Sequence, residues 1–286
     1  MTPYLELVQK TAALRDFGRG LPLGTFPPSP RIDIPSNAPN VLLFSPHPDD
    51  ECIIGGLALR LLRESRWRVV NVAVTQGSKK ERQEGRYAEL RDACDFLQFD
   101  LVPTASGGLE KINPKTRTAD PAHWNECVQT IARILRQYRP KVVFFPHELD
   151  WNSTHIGTHH LVVDALASLG SSAGTCFVVE TEFWGQMPTP NLMVESPARD
   201  VADLMAACSF HVGEVKRNPY HLSQTAWMQD NVRRGGELVG GQGGAAPDYP
   251  FATLYRLRRW QDGALNTFYP GGRNLAATED PAGLFL

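Results

Sequence analysis

The sequence lacks the paired cysteines that a disulfide framework or a thiolate metal site requires. Only five of its 286 residues are cysteine, an odd number, and no two of them form a Cys-x-x-Cys pair. We therefore expect buried free thiols in their place. The cysteines are Cys52, Cys94, Cys127, Cys176 and Cys208.

Long apolar runs and an excess of charge of either sign are also missing. The longest apolar segments, such as CIIGGLAL (52–59), are far shorter than the ~20 residues that span a bilayer. The formal net charge of -2 gives no bias toward nucleic acid or a membrane surface. The first twenty residues carry scattered charges and no apolar core of a secretory signal. We expect a cytoplasmic protein with a small-molecule partner, no nucleic-acid partner and no membrane span; the sequence is compatible with a homo-oligomer.

Several common catalytic motifs are absent as well. The sequence contains no P-loop, no HExxH, no GxSxG and no glycine-rich dinucleotide motif. These absences argue against nucleotide-dependent, metzincin-type and serine-hydrolase functions.

Short apolar runs alternate with longer helical periodicities between residues 41 and 184. Near-continuous apolar strands that alternate with helices are typical of a mostly parallel sheet with helices on both faces. We therefore predict an α/β fold, Rossmann-like and doubly wound. The predicted strands are 41–45, 68–76, 99–103, 141–146 and 176–184, and the predicted helices are about 52–64, 80–97, 122–137 and 158–168.

The chain divides into an N-terminal extension and one larger unit. Residues 1–40 end in a proline-rich stretch that disfavours both helix and central strand, so we expect an extension on the surface. We predict a single domain over 41–286, with its core at about 41–190 and a C-terminal cap segment at about 191–286. A helix is predicted within this cap, over 198–215.

The first predicted strand leads directly into PHPDDE (46–51), which places one histidine and three carboxylates within five positions. Like charges at this spacing repel one another unless a cation lies between them. In open α/β sheets, ligands bind outside the carboxyl ends of the strands. The two prolines stiffen the loop, so that His47 and Asp50 can converge on one point. The segment therefore predicts a metal site with these two residues as ligands.

A third ligand should come from the end of another strand, because a catalytic zinc site characteristically has three protein ligands. The segment FFPHELDWNSTHIGTHH (144–160) overlaps the end of the predicted strand 141–146. We choose His155, with His147 and His159 as alternatives. A polar loop that caps a helix would also explain HPDDE, but its combination with a second histidine-rich segment favours the metal interpretation.

PHPDDE, together with the later histidine segment leading into THHLVVDAL (158–166), resembles the LmbE-like, or PIG-L, family of zinc-dependent deacetylases. The similarity covers roughly residues 40–215. It implies a metal-dependent hydrolase that removes an N-acetyl or other N-acyl group from an amino-sugar derivative or glycoconjugate of N-acetylglucosamine type. The implied cofactor is Zn2+, and another divalent metal such as Fe2+ is compatible with the same ligands.

The resemblance also implies roles for individual residues. His47 and Asp50 match the zinc ligands of the first motif, and Asp49 matches the general base. His155 matches the second zinc-binding histidine of the family's His-Pro-Asp-His motif.

Other candidate residues concern the substrate. The resemblance matches an Arg-x-x-Glu pair of the family to Arg86 and Glu89, with the arginine facing the substrate, although a surface ion pair explains the same letters. Trp151 is a candidate for stacking on a sugar face, or for packing. The segment TQGSKKER (75–82) follows the second strand, where a turn with a helix N-cap explains the letters better than a pocket wall.

The chain departs from the family pattern at one position. Where the family has His-Pro-Asp-His, this sequence reads NSTH, so Asn152 replaces the first histidine, which helps to stabilise the oxyanion. Asparagine can donate a hydrogen bond but cannot pass on a proton. Asn152 then performs a weaker version of this role, or His147 or His159 replaces it, or the activity is low. The alternative function is a non-catalytic, metal-containing sugar-binding protein with the same fold.

Overall fold

The computed structural model describes residues 2–286, and nine strands within that range form one sheet. The strands are β1 (Asn40–Ser45), β2 (Arg68–Ala73), β3 (Asp100–Pro103), β4 (Val142–Pro146), β5 (Cys176–Thr181), β6 (Leu192–Glu195), β7 (Ala252–Gln261), β8 (Ala264–Thr267) and β9 (Arg273–Leu275). The α-helices are α1 (Leu5–Arg19), α2 (Asp50–Ile53), α3 (Leu57–Arg63), α4 (Lys80–Leu97), α5 (Pro114–Ala119), α6 (Pro121–Tyr138), α7 (Ser153–Ser168), α8 (Ala198–Cys208), α9 (Val212–Val215) and α10 (Gln224–Leu238). Short 3-10 helices cover Gly170–Ala173, Tyr220–Ser223 and Pro281–Phe285.

The strand order is β3-β2-β1-β4-β5-β7-β6-β9, with β8 paired to β7. The first five strands in this order are parallel, and β7 runs antiparallel to β5. The predicted α/β fold with a mostly parallel sheet is therefore confirmed. From β1 the chain adds strands on one side, and from β4 it adds them on the other, so the strand order reverses between β1 and β4. In open α/β sheets, ligands bind at the point where the strand order reverses.

Both faces of the sheet are covered, as the apolar character of the strands predicted. Along β1, Leu42 and Phe44 pack in one hydrophobic cluster with residues of α6 and α7. Val41 and Leu43 pack on the opposite face with residues of α3, α4 and α8. This alternation follows from the two-residue repeat of a strand, and because both faces are covered, the four central residues of β1 are all apolar.

Two predicted helices are broken in the structure. The predicted helix 52–64 divides into α2 and α3 at Gly55, whose φ is +82°, and a Cβ there would lie 2.1 Å from Oγ1 of Thr253. The predicted helix 198–215 divides into α8 and α9, and His211 between them binds Glu51 instead of continuing the helix. In both cases the partner lies more than 150 residues away, so local periodicity could not indicate the break.

A third difference concerns the second histidine-rich segment. The predicted helix 158–168 begins earlier, because the side chain of Asn152 accepts a hydrogen bond from the backbone N–H of Thr154 at 2.8 Å and caps α7. His155 therefore lies in the first turn of a helix and not in a loop. By contrast, α4 has the predicted bounds, 80–97.

The two ends of the chain differ in how they join this sheet. The predicted N-terminal extension contains α1, whose residues are almost all exposed. Residues 191–286 add β6 to β9 to the same sheet and bring α9 and the turn at Tyr220–Ser223 close to the PHPDDE loop. The division into a core and a cap stays a prediction. Within the described residues, none of the helices combines the length and the apolar character that a membrane span needs.

Candidate metal centre

The three predicted ligands meet at the point where the strand order reverses. His47 follows β1 and Asp50 opens α2, while His155 lies in α7, which follows β4. The backbone N–H of His47 donates to Oδ2 of Asp50 at 2.8 Å, which fixes the loop between them. We call His47, Asp50 and His155 the metal cluster.

The spacing of the three ligand atoms fits a metal ion. Nδ1 of His47 lies 3.4 Å from Oδ2 of Asp50 and 3.2 Å from Nε2 of His155, and Nε2 of His155 lies 3.3 Å from the same oxygen. Ligands ~2.0–2.1 Å from a tetrahedral zinc ion are ~3.3–3.4 Å apart. The three atoms thus form one triangular face of such a site.

The charges around this point favour a cation. Burial opposes ionisation of Asp50, but the neighbouring His155 and His47 outweigh it and hold its pKa well below the usual range. Burial likewise opposes a charge on His155, yet Asp50 and Asp150 raise its pKa to about 10. The carboxylates thus stabilise positive charge between the two imidazoles, where a metal ion can replace the proton.

Asp150 lies near the ring nitrogen of His155 that does not face the metal cluster. Its Oδ2 lies 3.6 Å from Nδ1 of His155 and accepts hydrogen bonds from the backbone N–H groups of Trp184 and Gly185 at 3.2 and 3.3 Å. A carboxylate behind a metal-binding histidine orients the ring and raises its basicity. Asp150 was not among the residues predicted from the sequence, although it lies only five positions before the proposed ligand His155.

Asp49 is held in a strained position beside the metal cluster. Its φ is +109°, unusual for a residue other than glycine, and such strain is found at functional sites. The hydroxyl of Tyr220 donates to Oδ2 of Asp49, and Nη2 of Arg86 lies 4.0 Å from that oxygen. Burial, followed by the charge of Asp50, raises the pKa of Asp49 to about 7. A divalent cation nearby would lower this value.

A buried pair stabilises the backbone of Asp49. Oε2 of Glu51 accepts a hydrogen bond from the N–H of Asp49 at 3.0 Å, and its Oε1 lies 2.7 Å from Nε2 of His211. Both side chains are completely buried. The third carboxylate of PHPDDE therefore has a structural partner and not a ligand role in the metal cluster. His211 and Tyr220 were missed because they lie 160 or more positions from the motif.

A pocket of about 340 Å³ lies beside the metal cluster. Three of the predicted substrate and catalytic residues line it: Asp49, Asn152 and Arg86, which donates to the carbonyl of Pro48 at 2.9 Å. The lining residues are His47, Asp49, Asp50, Gln76, Ser78, Lys79, Arg82, Arg86, Asn152, Trp184, Glu214 and Arg217.

The structure does not bring the other three predicted residues to this pocket. His147 is buried, with Nε2 donating to the carbonyl of Gly185 at 2.8 Å and Nδ1 accepting from the N–H of Leu149. His159 donates from Nδ1 to the carbonyl of Pro146 at 3.0 Å. Trp151 is 81% exposed, and Trp184 is the tryptophan at the pocket.

Residues 42–166 match the family model described as PIG-L: GlcNAc-PI de-N-acetylase. The matched segment contains all three residues of the metal cluster, so the resemblance carried by the sequence motifs is confirmed there. Among curated proteins, the chain is 28% identical over 165 residues to 1D-myo-inositol 2-acetamido-2-deoxy-alpha-D-glucopyranoside deacetylase from Mycobacterium leprae. The match covers 49% of this chain and 54% of that protein, so the chain spans about half the length of the curated relatives it matches.

Solved structures of two enzymes share the fold. N,N'-diacetylchitobiose deacetylase from Pyrococcus horikoshii aligns with a TM-score of 0.54 at 16% identity, over 92% of this chain and 94% of that one. The 4-carboxy-2-hydroxymuconate hydratase from Pseudomonas putida aligns with a TM-score of 0.59 at 16% identity, over 83% of this chain and all of that one. Since these two names describe different reactions, the fold alone does not assign one, and the reaction must be argued from the site.

Proposed function

We propose, from the family match of residues 42–166 and the site that this segment builds, that the chain is a zinc-dependent N-deacetylase. In this proposal it hydrolyses the amide of an N-acetyl or other N-acyl group on an amino-sugar derivative. The observation that carries the proposal is the triangle of His47 Nδ1, Asp50 Oδ2 and His155 Nε2, with Asp49 beside it at a pocket.

The donor set suits the proposed metal. Two imidazoles and one carboxylate are common ligands of catalytic zinc, and the fit of their spacing supports zinc over a larger, oxygen-preferring cation. A bound zinc ion would supply an activated water at neutral pH and would polarise the acyl carbonyl.

Asp49 is the proposed general base. Its carboxylate is at the pocket, and the hydroxyl of Tyr220 fixes the orientation of one of its oxygens. In the proposed reaction Asp49 accepts a proton from the attacking water and returns it to the leaving amine, so that acetate and a free amine are the products. Tyr220 keeps its own proton, because burial and the Asp49 charge raise the pKa of its hydroxyl well above the usual range.

Asn152 and Arg86 are the proposed polar contacts to the substrate. The oxygen of the Asn152 amide caps α7, which leaves its NH2 group to donate to a developing oxyanion. His147 is a weaker candidate for this role, because both of its ring nitrogens already have hydrogen-bond partners. Neither His147 nor His159 lines the pocket, so we assign both to structural support in this proposal.

The test is acetate release from a panel of N-acetylglucosamine derivatives, with metal analysis of the same protein preparation. We expect about one zinc per chain, release that stops with a chelator and resumes with added zinc, and loss of release in Asp49→Asn with the metal retained. Asp92→Asn, at a half-exposed carboxylate on α4, is the matched control and should behave as wild type. Protein that does not bind metal when zinc is supplied would overturn the proposal.

A non-catalytic sugar-binding protein is the second candidate, and Asn152 is the residue that favours it. Such a protein would bind zinc and the sugar derivatives without releasing acetate from any of them. Calorimetric titration of the same panel distinguishes the two, because binding without turnover in the wild-type protein supports only the second candidate.

A further inference from the structure

The wall of the pocket away from the metal cluster has an excess of positive charge. Three carboxylates line the pocket: Asp50 of the metal cluster, Asp49 beside that cluster, and Glu214. The cationic residues that line it are Lys79, Arg82, Arg86 and Arg217. Outside the metal cluster, four cations therefore face two carboxylates, Asp49 and Glu214.

Glu214 cannot balance these charges. Its carboxylate accepts hydrogen bonds from Arg82, at 2.6 Å, and from Arg217, and it lies 3.8 Å from Nε of Arg86. Lys79 has no ion-pair partner among residues 2–286, and Nε of Arg86 is buried without a hydrogen bond in the same range. The wall thus keeps a net positive charge in a concave site, where it raises the local concentration of anions.

A buried glutamine at the same wall is unpaired. Gln76 is only 2% exposed, it lines the pocket, and neither Oε1 nor Nε2 of its side chain has a hydrogen-bond partner among the described residues. Leaving a buried amide unpaired is costly, and native structures rarely do so without a reason. An oxygen-rich ligand in the pocket would satisfy the NH2 group.

The backbone at this wall also favours an anion. Ser78 and Lys79 line the pocket at the N-terminus of α4, which is 18 residues long. Lys79 is the N-cap residue of α4, and its side chain does not accept a hydrogen bond from the first backbone amides of the helix. The N-terminus of a helix carries partial positive charge and free N–H groups. Gly77, with φ +81°, lets the guanidinium of Arg86 pack against this loop, since a Cβ there would lie 2.4 Å from Nη1.

We propose that Gln76, Lys79, Arg82 and Arg217 form a subsite for an anionic oxygen group, phosphate or carboxylate, on the substrate. The inference rests on the proposed function, which places the acyl amide at the metal cluster, and it narrows the substrate class to anionic amino-sugar derivatives. Arginine forks bind both groups through paired N–H donors, and a lysine adds a point charge.

The first experiment compares the kcat/KM of acetate release for three substrates. N-acetylglucosamine 1-phosphate carries the phosphate, N-acetylmuramic acid carries a carboxylate, and methyl N-acetylglucosaminide is neutral. We expect at least one anionic substrate to exceed the neutral one by about tenfold, and the preferred anion identifies the ligand group. The kcat/KM for the preferred anionic substrate is divided by that for the neutral substrate. This ratio should fall by about threefold or more in Lys79→Gln and in Arg217→Gln, and it should approach one in the double variant.

The control variant is Arg91→Gln, at an exposed position of α4 where the arginine pairs with Asp92. It removes one positive charge at a position that does not line the pocket, and it should leave the ratio at its wild-type value. Because Lys79 and Arg217 are also exposed, their variants should fold, and a change in the ratio reports on the subsite.

A binding measurement separates this inference from the proposed function. Asp49→Asn protein is titrated by calorimetry with N-acetylglucosamine 1-phosphate, N-acetylmuramic acid and inorganic phosphate, so that no turnover is needed. Binding weakened by Lys79→Gln and Arg217→Gln supports the subsite, even if wild-type protein releases no acetate from any substrate.

Two outcomes would contradict the subsite. Acetate release with the same ratio of anionic to neutral kcat/KM in the wild type and all variants would overturn the subsite and leave the proposed function intact. Anion binding unchanged by both substitutions would assign the anion to the metal cluster and would also overturn the subsite.

Discussion

Two clusters of histidine and acidic side chains lie near the carboxyl ends of adjacent strands, and they differ in what balances their charge. The metal cluster joins His47, Asp50 and His155, and the second cluster joins Glu148, His159 and Glu180. In each cluster, one ligand atom from every residue lies within 4.8 Å of the others. By residue type alone, both could hold a metal ion.

Arginines neutralise the second cluster. Glu180 accepts hydrogen bonds from Arg256 and Arg258, and Arg256 also binds Glu148. His159 uses its Nδ1 proton on the carbonyl of Pro146, and burial lowers its pKa, so it is a neutral ring with that nitrogen occupied. We call Glu148, His159 and Glu180 the arginine-paired cluster.

The metal cluster has no such partner. No lysine or arginine nitrogen in residues 2–286 lies within 4.0 Å of Asp50, whose side chain instead contacts the imidazoles of His47 and His155. Arg86 reaches only the edge of the site, 4.0 Å from Asp49. The comparison teaches that carboxylate and histidine spacing does not by itself identify a metal site. Arginines account for the charge of the second cluster without a metal ion, whereas Asp50 has no such partner, and buried carboxylates need a cation.

The largest expected effect is on metal binding, and it tests which cluster holds the ion. His155→Ala removes one of three ligands and should weaken zinc binding at least about 100-fold, with loss of acetate release. His159→Gln, the matched change in the arginine-paired cluster, should retain about one zinc per chain. Metal analysis after dialysis against a weak chelator measures both. Loss of zinc in His159→Gln alone would reverse the assignment of the two clusters.

The next effect is on stability, and it concerns the arginine-paired cluster. Glu180→Gln leaves Arg256 and Arg258 without their main counter-charge, and we expect a loss of about 3 kcal/mol in the free energy of unfolding. Denaturant unfolding measures this loss, and the zinc content of the folded protein should not change. Glu110→Gln, which breaks an exposed pair with Lys80, is the control and should cost less than about 1 kcal/mol. Equal costs for the two variants would contradict the structural role of Glu180.

A smaller effect on activity concerns Asp49, whose carboxylate accepts a hydrogen bond from the Tyr220 hydroxyl. Tyr220→Phe removes the donor to Asp49, and we expect kcat/KM for acetate release to fall about tenfold, with zinc retained, because the carboxylate loses its fixed orientation. Tyr269→Phe, which removes a hydroxyl bound to the carbonyl of Leu284, is the control and should leave kcat/KM unchanged. An unchanged kcat/KM in Tyr220→Phe would exclude Tyr220 as a positioning residue.

Local sequence predicted the parts of the site that depend on one segment. His47 and Asp50 are three positions apart after an apolar strand, and a loop stiffened by two prolines brings them together. The bounds of α4 were also predicted, because the residue pattern that indicates this helix lies within its own 18 residues. The mostly parallel sheet followed from the apolar strands of the first 180 residues.

Contacts between distant segments could not be predicted in this way. Tyr220 reaches Asp49, and Glu214 reaches the pocket, only because the C-terminal third of the chain folds over the PHPDDE loop. Spacing alone also left His147, His155 and His159 as alternatives for the third ligand. His147 lies before α7 with both ring nitrogens bound to the backbone, and the Asn152 cap fixes the start of α7, which places His155 in its first turn.

The smallest expected effect concerns Asn152, the position that departs from the family pattern. Asn152→His restores the family residue but removes a cap of α7, which costs about 1 kcal/mol of stability. We expect kcat/KM for acetate release to change by less than about threefold, because the Asn152 NH2 group already supplies a donor at the pocket. Ser153→Ala, at the next position in the first turn of α7, is the control for changes at this end of the helix. A gain above about tenfold in Asn152→His would instead indicate a site that has lost turnover, and would favour the sugar-binding alternative for the wild-type chain.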